Sequence, residues 1–451
     1  MAHADFIAAI YLGTSRITGI VGKKEAGVIT VIAYETEKSA GCIRRGRVYN
    51  IQETSAKVKA IVRRMESKIP GSRIGKLYVG VGGQSIRSEE HTVSRSLDAD
   101  RMVTDELIDS LFDEIRTCRP EGLDVLSVIP SAYFLDESER PEFDPVGVSC
   151  SLIKAKYQLI VANPSIRKRI VKCIAEEAKI EIAGILPSPP VLADVVLSEN
   201  DKNQGCALID FGAGVTSLAI YKNGRLLSLC VIPLGGNLIT KDLADCLGIK
   251  EADAERLKRD YGNALVDNND TSTLKVDVEE VEEFSVSLAK FNTILGARLQ
   301  EILENVYKKL TAVELAGLRA GIVITGGAAN LENLPAVIHN RLKTEVRYAF
   351  IREDLNVKGK QSDLAPDGIT LGLLLKGETP CVEQTIPKPA PPVIPAPPVV
   401  SKQQPVDPPP PEPDVVKNDP KPDPEPQKPK KKGKGIGDKF NIFVGDLFKE
   451  Q

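Results

Sequence analysis

The feature that most constrains this chain is a pair of apolar runs joined by a glycine-bearing turn, between Cys206 and Tyr221. The first run ends at Asp210, and Gly212 and Gly214 lie in the turn that follows. Two short apolar runs around such a turn predict a β-hairpin. Because glycine lets the backbone approach a ligand closely, N–H groups of the turn can bind phosphate oxygens. Taken alone, the stretch still favours an ordinary hairpin with an aspartate beside its turn.

Two further glycine turns make the phosphate-binding interpretation the stronger one. Between Phe6 and Val21, a predicted strand, a Gly-Thr-Ser turn that begins at Gly13 and a second strand repeat the same pattern. A third turn, Thr-Gly-Gly from Thr325, follows the apolar run that begins at Ile322 and leads into a predicted helix. One glycine hairpin is a weak signal for a binding site, whereas three such turns in this order are specific.

The three turns together resemble those of the superfamily that contains actin, Hsp70 and the sugar kinases. The resemblance implies an α/β, actin-like fold of two RNase H-like halves that hold ATP between them, with the hairpins on its phosphates and the Gly-Gly turn on its adenosine. The implied phosphate-binding residues are Gly13, Thr14, Ser15, Arg16, Gly212, Ala213, Gly214, Val215 and Thr216. The implied adenosine-binding residues are Gly236, Glu255, Lys258, Gly326, Gly327 and Ala328.

Three of the charged residues can be interpreted from the sequence itself. Asp210 stands at the mouth of its hairpin, where a carboxylate can hold Mg²⁺ through water, since this cation gives up its waters reluctantly. Glu255 and Lys258 lie on one face of a predicted helix, where such a pair is usually solvated surface. Only the resemblance, through an A-E-x-x-K run that faces the adenosine in the family, assigns this pair to the site.

Between residues 84 and 161 the pattern of predicted strands and helices changes. A polar strand from Ser94 to Leu97, a helix from Thr104 to Arg116, and strands at 124–130 and 149–161 predict a small inserted α+β subdomain. An insertion at this point resembles that of the FtsA family of bacterial division proteins. In that family it lies apart from the nucleotide cleft and contacts neighbouring subunits and other division proteins. A passive insertion is the alternative, which the residues do not exclude.

The predicted organisation follows from these patterns. A basic amphipathic helix is expected from Ser165 to Ala178, and a long helix from Val278 to Leu310 is expected in the second half. The domains are the start of the first half at 5–83, the inserted subdomain at 84–161, the rest of the first half with a connecting helix at 162–204, the second half at 205–378 with a smaller subdomain at 237–309, a linker at 379–433, and a terminal helix at 434–451.

Composition sets broad limits on function. The 451 residues suffice for two or three domains, and the net charge of −3 gives no argument for nucleic-acid binding. Eight cysteines without a C-x-x-C pair and only three histidines indicate a reducing, cytosolic chain without a His-rich metal site. We find no signal-peptide pattern and no apolar run of spanning length, so the chain is expected not to cross a membrane.

The segment after Thr379 is predicted to be a disordered spacer. Nineteen of the 31 prolines lie between Pro380 and Pro429. Fully extended, at about 3.1 Å per residue, such a segment reaches roughly 150 Å. A folded domain needs such a spacer only if something beyond it must be held at a distance. A ligand for a proline-binding domain is the alternative that we rank lower.

The last residues predict an amphipathic helix that binds membranes. A lysine cluster around Lys430 to Lys434 precedes it. Its apolar stripe follows helical spacing and consists of Ile436, Phe440, Phe443, Val444, Leu447 and Phe448. Lysines add up to about 1 kcal/mol each on anionic lipid, so the membrane surface is favoured over a groove in a protein partner. FtsA proteins end in a membrane-targeting helix of this kind.

The resemblance to FtsA covers about residues 5 to 377 together with the tail. It implies an actin-like, ATP-binding division protein that tethers the FtsZ ring to the cytoplasmic face of the inner membrane at the division site. The implied partners are the C-terminal tail of FtsZ, which binds the smaller subdomain, and further copies of the chain in filaments. A sugar kinase would need an aspartate base that we cannot assign, and a pilus-assembly platform protein would lack the spacer and terminal helix.

Four positions depart from the usual hairpins of actin-like ATPases and predict at most slow hydrolysis of ATP. Tyr11 replaces the acid that precedes the first turn, and a neutral phenol cannot replace a carboxylate near Mg²⁺. In the second hairpin Ala213 replaces a glycine, Val215 replaces the threonine and Ser217 replaces the last aspartate. Backbone binding of phosphate remains feasible, while organisation of the metal and its water is weakened.

The predicted terminal helix makes a test of membrane binding possible. Deletion of residues 435–451, or the substitutions Phe443→Glu and Leu447→Glu, should release the protein from anionic vesicles, because a charge buried in the apolar stripe costs several kcal/mol. Vesicle flotation measures the bound fraction. The matched control places the same two charges on the polar face, as Asn441→Glu and Gly445→Glu. Unchanged flotation of the stripe variant would contradict the prediction.

Overall fold

The computed structural model describes residues 6–25, 27–267, 270–275, 285–311, 317–359 and 367–384. Most of the predicted linker and the whole of the predicted terminal helix lie outside these residues. The expected membrane stripe of Ile436, Phe440, Phe443, Val444, Leu447 and Phe448 therefore stays a prediction from the sequence.

Strands and helices contribute about equally to the described fold, and each hairpin predicted around a glycine turn is present. In chain order the strands are β1 (Phe6–Leu12), β2 (Arg16–Glu25), β3 (Val28–Lys38), β4 (Ile43–Arg44), β5 (Arg47–Val48), β6 (Ser72–Ile74), β7 (Lys76–Val81), β8 (Arg87–Met102), β9 (Asp124–Leu135), β10 (Ser149–Ala162), β11 (Glu181–Pro187), β12 (Cys206–Phe211), β13 (Thr216–Lys222), β14 (Arg225–Ile232), β15 (Thr273–Lys275), β16 (Ser285–Ser287), β17 (Ile322–Thr325), β18 (Val346–Tyr348), β19 (Asn356–Lys358) and β20 (Val382–Gln384).

Helices cover the sheets. They are α1 (Ile51–Glu66), α2 (Asp105–Arg116), α3 (Ser165–Val171), α4 (Ser188–Val196), α5 (Glu199–Gln204), α6 (Gly236–Leu247), α7 (Glu251–Tyr261), α8 (Leu288–Thr311), α9 (Leu334–Leu342) and α10 (Gly368–Lys376). A π-helical turn, Lys172–Glu177, continues α3, and a 3₁₀ turn, Gly327–Asn330, follows β17. Pro189 and Pro190 lie in the first turn of α4. N–H groups in a first turn have no intrahelical acceptor, so proline costs no hydrogen bond there.

Two sheets with the same topology confirm the predicted pair of RNase H-like halves. In the first, β3, β2 and β1 are antiparallel neighbours, and β7 and β11 follow in parallel. In the second, β14, β13 and β12 are antiparallel neighbours, and β17 and β18 follow in parallel. Because the carboxyl ends of β1 and β12 are occupied by the two glycine turns, these turns lie at equivalent places in the two halves.

Helices α4 and α10 cross closely between the halves. A Cβ built on Gly372 of α10 would lie 2.3 Å from the Val191 carbonyl oxygen of α4. Only glycine allows this separation, since such an approach is far inside van der Waals contact. The crossing brings the start of each helix to the floor of the cleft.

The predicted insertion has its own core but is not a separate sheet. Leu111, Tyr133, Ile153 and Tyr157 belong to a buried apolar cluster within β8 to β10 and α2. Strand β8 is much longer than the predicted strand Ser94 to Leu97. It also pairs with β14 at a single point, so that the strands of the insertion extend the sheet of the second half.

One helix prediction was wrong at its start, and another was right in its bounds but not in its geometry. The helix expected from Val278 to Leu310 begins at Leu288, and Ser285–Ser287 is a strand paired with β15. At that place strand pairing outweighs helix periodicity. The helix expected from Ser165 to Ala178 is present as α3 and its continuation to Glu177, with π-helical geometry from Lys172. Among the described helices, none has the length and apolar character needed to span a bilayer.

Candidate functional site

The two hairpin turns meet across the cleft. A Cβ built on Gly214 would lie 2.5 Å from Thr14 Oγ1, so that only glycine fits at this position of the second turn. Thr14 Oγ1 accepts a hydrogen bond from Gly46 N at 2.8 Å. Ser39 holds the first turn as well, because its hydroxyl donates to the Gly13 carbonyl oxygen at 2.7 Å. The predicted phosphate-binding turns are therefore adjacent, and the first is supported by bonds to the rest of its half.

The second turn is bonded to the start of α6. Gly236 N donates to the Gly212 carbonyl oxygen at 3.0 Å, and Asn237 N donates to the Ala213 carbonyl oxygen at 2.8 Å. Thr216 is fully buried and its hydroxyl donates to the Leu234 carbonyl oxygen at 2.9 Å, so this hydroxyl is committed to the protein. What the second turn offers a ligand is thus its backbone.

Three of the predicted adenosine-binding residues lie together. A Cβ built on Gly236 would lie 3.0 Å from the Cβ of Ala328 and 3.6 Å from Lys258 Nζ. Lys258 Nζ donates to the Gly236 carbonyl oxygen at 3.1 Å and to Thr240 Oγ1 at 2.8 Å. These contacts join α6, α7 and the turn after β17, which are remote in sequence.

Lys258 and Glu255 are not the solvated surface pair that their spacing favours. The Lys258 side chain is 6% exposed and its Nζ lies 2.5 Å from Glu255 Oε2. Burial lowers the pKa of Lys258, and the neighbouring Glu255 carboxylate opposes that shift. A buried ammonium needs such partners, because its desolvation would otherwise be costly.

The Thr-Gly-Gly turn lies against Asp210. Gly326 has φ of 93°, and a Cβ there would lie 2.4 Å from Asp210 Oδ1, so this position requires glycine for both reasons. At Gly327, by contrast, a built Cβ meets no atom within 4 Å. The turn therefore packs one glycine on the aspartate and leaves the other beside open space.

Asp210 is the carboxylate on which the cleft converges. It is surrounded by protein but partly accessible, and no hydrogen bond to it is found within the described residues. Burial, and next the charge of Asp367, raise the pKa of Asp210 to about 6. A bound cation would stabilise the ionised form of this carboxyl group, since a nearby opposite charge favours ionisation.

The structure adds residues that the sequence did not assign to the site. Burial, followed by the charges of Asp210 and Asp367, raises the pKa of Tyr11. Its hydroxyl lies near Ser188 at the start of α4, since a Cβ built on Gly82 would lie 3.2 Å from the Tyr11 hydroxyl oxygen and 2.6 Å from Ser188 Oγ. Asp367 caps α10 through Thr370 N at 3.3 Å, and burial raises its pKa. A helix-capping aspartate was recognisable in the sequence, but nothing local placed it or Ser188 beside Tyr11.

Arg16 lies at the same end of the cleft. Its positive charge lowers the pKa of both Tyr11 and Asp367, which places the guanidinium near them. Ser15 is exposed in the first turn, and its carbonyl oxygen accepts a bond from Ser39 N at 2.9 Å. Val215 is buried beside the second turn. The three predicted turns thus lie close together, and Arg16 lies near Tyr11 and Asp367 at the floor of the cleft.

Known proteins similar to this chain share one family. The profile described as "Cell division protein FtsA" matches residues 207–362, and that described as "SHS2 domain inserted in FTSA" matches residues 83–161. The cell division protein FtsA of Porphyromonas gingivalis is 33% identical over 385 residues, which cover 83% of this chain and 79% of that protein. The cell division protein FtsA of Bacillus subtilis is 28% identical, covering 77% and 79% respectively.

Among solved structures, one of a "PilM-PilN type IV pilus biogenesis complex" is similar in fold. It has a TM-score of 0.57 and 13% sequence identity, and the match covers 82% of this chain and 97% of that one. At this identity the likeness shows the fold alone.

The electrostatics of Asp210 predict a dependence of stability on pH. Its raised pKa means that the ionised carboxylate destabilises the folded state, fully above about pH 6 and less as pH falls towards its ordinary value near 4. In a metal-free buffer, Asp210→Asn should therefore raise the free energy of unfolding by roughly 1–3 kcal/mol at pH 7.5. Urea denaturation at pH 7.5 and pH 4.5 measures this gain.

The gain should shrink at the lower pH, because Asp210 is then protonated in the folded wild-type protein. Asp98, an exposed carboxylate of the insertion, provides the matched control as Asp98→Asn. A gain of equal size at both pH values, or one shared by the control, would show that the charge of Asp210 is not its cause.

Proposed function

We propose that this chain, which belongs to the FtsA family of cell division proteins, binds ATP in the cleft and tethers the FtsZ ring to the cytoplasmic face of the inner membrane at the division site. The observation that supports the nucleotide part is that the two hairpin turns meet at Thr14 and Gly214, that the Thr-Gly-Gly turn packs on Asp210, and that Lys258 of α7 bonds to Gly236. The glycine turns were assigned to the site from their own patterns, and α7 was assigned from the resemblance.

The backbone of the two turns is suited to phosphate. The two turns carry glycine at Gly13, Gly212 and Gly214, and Gly214 packs against the Thr14 side chain of the first turn. Main-chain N–H groups of such glycine turns bind phosphate oxygens without a charged side chain. The open space beside Gly327 accommodates the nucleoside. Lys258 and Glu255 line that side through α7, where their mutual contact fixes both side chains.

The residues present also fit a divalent cation that enters with the nucleotide. Asp210 is a carboxylate without a hydrogen-bond partner in the described chain, and burial, followed by the charge of Asp367, raises its pKa. No group of three or more His, Cys, Asp or Glu side chains able to hold a metal occurs among the described residues. Mg²⁺ commonly uses one or two carboxylates, phosphate oxygens and water, so Asp210 suffices. Such a cation neutralises phosphate charge.

We infer that nucleotide acts mainly as a conformational ligand in this chain. Tyr11 stands where relatives carry an acid, and its raised pKa keeps it neutral at physiological pH. Its hydroxyl lies near Ser188, and Ser217, in place of another acid, is buried. With no assigned base to activate water, the chain's own residues bind and orient the phosphates but do little to speed their hydrolysis.

The anchoring part of the proposal combines the tail with the fold. The terminal helix, with Phe443 and Leu447 in its stripe, binds anionic lipid, and the proline-rich spacer separates it from the folded part. The smaller subdomain at 237–309 takes the C-terminal tail of FtsZ, and the inserted subdomain takes other division proteins. Copies of the chain associate into filaments, so that many weak membrane anchors bind together and more strongly than one.

Nucleotide binding and turnover can be measured separately. Equilibrium dialysis should show binding of labelled ATP in the presence of Mg²⁺, while phosphate release stays well below the roughly 1–100 s⁻¹ of kinases. Gly327→Val should weaken binding about tenfold, because the new side chain occupies open space of the cleft without displacing protein atoms. Thermal unfolding of that variant without nucleotide should match the wild type. Rapid turnover, or full binding by the variant, would contradict the proposal.

The smaller subdomain exposes three apolar side chains that suit the FtsZ tail. Tyr261, Leu265 and Val266 are between 39% and 45% exposed. Leu265→Asp should weaken binding of a labelled FtsZ tail peptide about tenfold, measured by fluorescence anisotropy, since a charge would replace an apolar contact. Leu227, which is 38% exposed and outside this subdomain, provides the matched control as Leu227→Asp. Equal binding by wild type and Leu265→Asp would exclude this surface.

A further inference from the structure

A basic surface on the first half has no role in the cleft. It consists of Arg44, Tyr49, Lys168, Arg169 and Lys172, and contacts make it continuous. The Arg44 guanidinium lies 3.7 Å from the centre of the Tyr49 ring, and Arg169 Nη1 donates to the Tyr49 carbonyl oxygen at 3.3 Å. Lys168 and Lys172 follow along α3 and its π-helical continuation.

A groove of about 530 Å³ runs through this basic surface. Ile51 and Val171 contribute apolar lining, and the stems of Lys168 and Lys172 line it too. Glu176 is the one carboxylate in the lining. The Tyr49 side chain next to it is 58% exposed. The groove therefore combines an apolar floor with a positively charged rim, a pattern that suits a ligand with apolar groups flanked by carboxylates.

Three cations of the basic surface have no carboxylate partner among the described residues. Arg44, Lys168 and Lys172 are exposed, and no ion pair joins any of them to a carboxylate in the part of the chain that the structure describes. The adjacent Arg167 differs, since its Nε lies 2.6 Å from Asp124 Oδ2. Clustered like charges repel one another, so a partner that supplies negative charge would be favoured here.

The chain itself contains a segment of matching chemistry. Residues 277–283 read Asp-Val-Glu-Glu-Val-Glu-Glu, so that five of seven are acidic, and Phe284 follows. This run lies outside the described residues, and its chemistry is taken from the sequence. Val278, Val281 and Phe284 are spaced three residues apart and could enter an apolar groove while the carboxylates meet the rim.

We propose that the basic surface of one copy binds the acidic run 277–283 of a second copy. The inference rests on the proposed self-association and adds the two surfaces that carry it. Because the two surfaces differ, the contact is heterologous, and repetition generates an open chain of subunits rather than a closed dimer. Screening by salt should weaken the contact, since its rim is exposed.

Reversal of charge on each side tests the pairing in the full-length protein. The first variant is Lys168→Glu with Lys172→Glu, and the second is Glu279→Lys with Glu282→Lys. Sedimentation velocity with Mg²⁺ and ATP should show association weakened at least about tenfold in each variant alone, because like charges then face each other. An equimolar mixture of the two variants should recover association, since each reversed surface meets its reversed partner.

The matched control is Lys154→Glu with Lys358→Glu, two exposed lysines outside the basic surface, and it should associate as the wild type does. Recovery in the mixture supports the proposal. Undiminished association of either variant, or failure of the mixture to recover, overturns it while leaving self-association in place. If the wild type does not associate at all, both this inference and the proposed self-association fail. If the first variant loses only binding to anionic vesicles, the basic surface serves lipid instead.

Discussion

The close approach of two backbone turns is the constraint on which the cleft depends. Thr14 Oγ1 lies 2.5 Å from the place where a Cβ of Gly214 would be, and Val215 N lies 2.6 Å from the corresponding position on Gly235. A side chain at Gly214 would push the two turns apart and, with them, the two sheets that carry them, whereas a side chain at Gly235 would displace the second turn from the start of α6. The glycines thus allow the close approach of these segments, and because they carry no side chains, main-chain groups line this part of the cleft.

Charge at the floor of this cleft depends on one unusual residue. Tyr11 brings a neutral ring where related hairpins bring an acid, and its hydroxyl lies near Ser188. Burial raises the pKa of both Asp210 and Asp367, and the charge of Asp367 adds to the rise at Asp210. This arrangement of charges favours binding of a cation and its phosphates over activation of water. It agrees with the proposal that nucleotide acts mainly as a conformational ligand.

The inserted subdomain extends the second half while its sequence lies within the first. Strand β8 leaves the first half after β7 and pairs with β14 through Arg87 and Cys230. Movement of one half against the other would therefore act on the base of the insertion. The basic surface around Lys168 lies directly after β10 in the chain. A short covalent segment therefore joins the insertion to the surface proposed for self-association, and a movement of the insertion would reach that surface.

Local features were determined by the sequence, because glycine turns, strand alternation and helix spacing depend on neighbouring residues. The hairpins and the position of Asp210 followed from such patterns, while the pair of similar halves was implied by the resemblance of the three glycine turns to a known superfamily. Only the tertiary structure decided that Lys258 is buried against Gly236, and that Asp367 and Ser188 reach Tyr11 from distant segments. It also made Ser285–Ser287 a strand, since pairing with β15 outweighed helical spacing. Burial and long-range pairing depend on residues far apart in the chain, which no local pattern specifies.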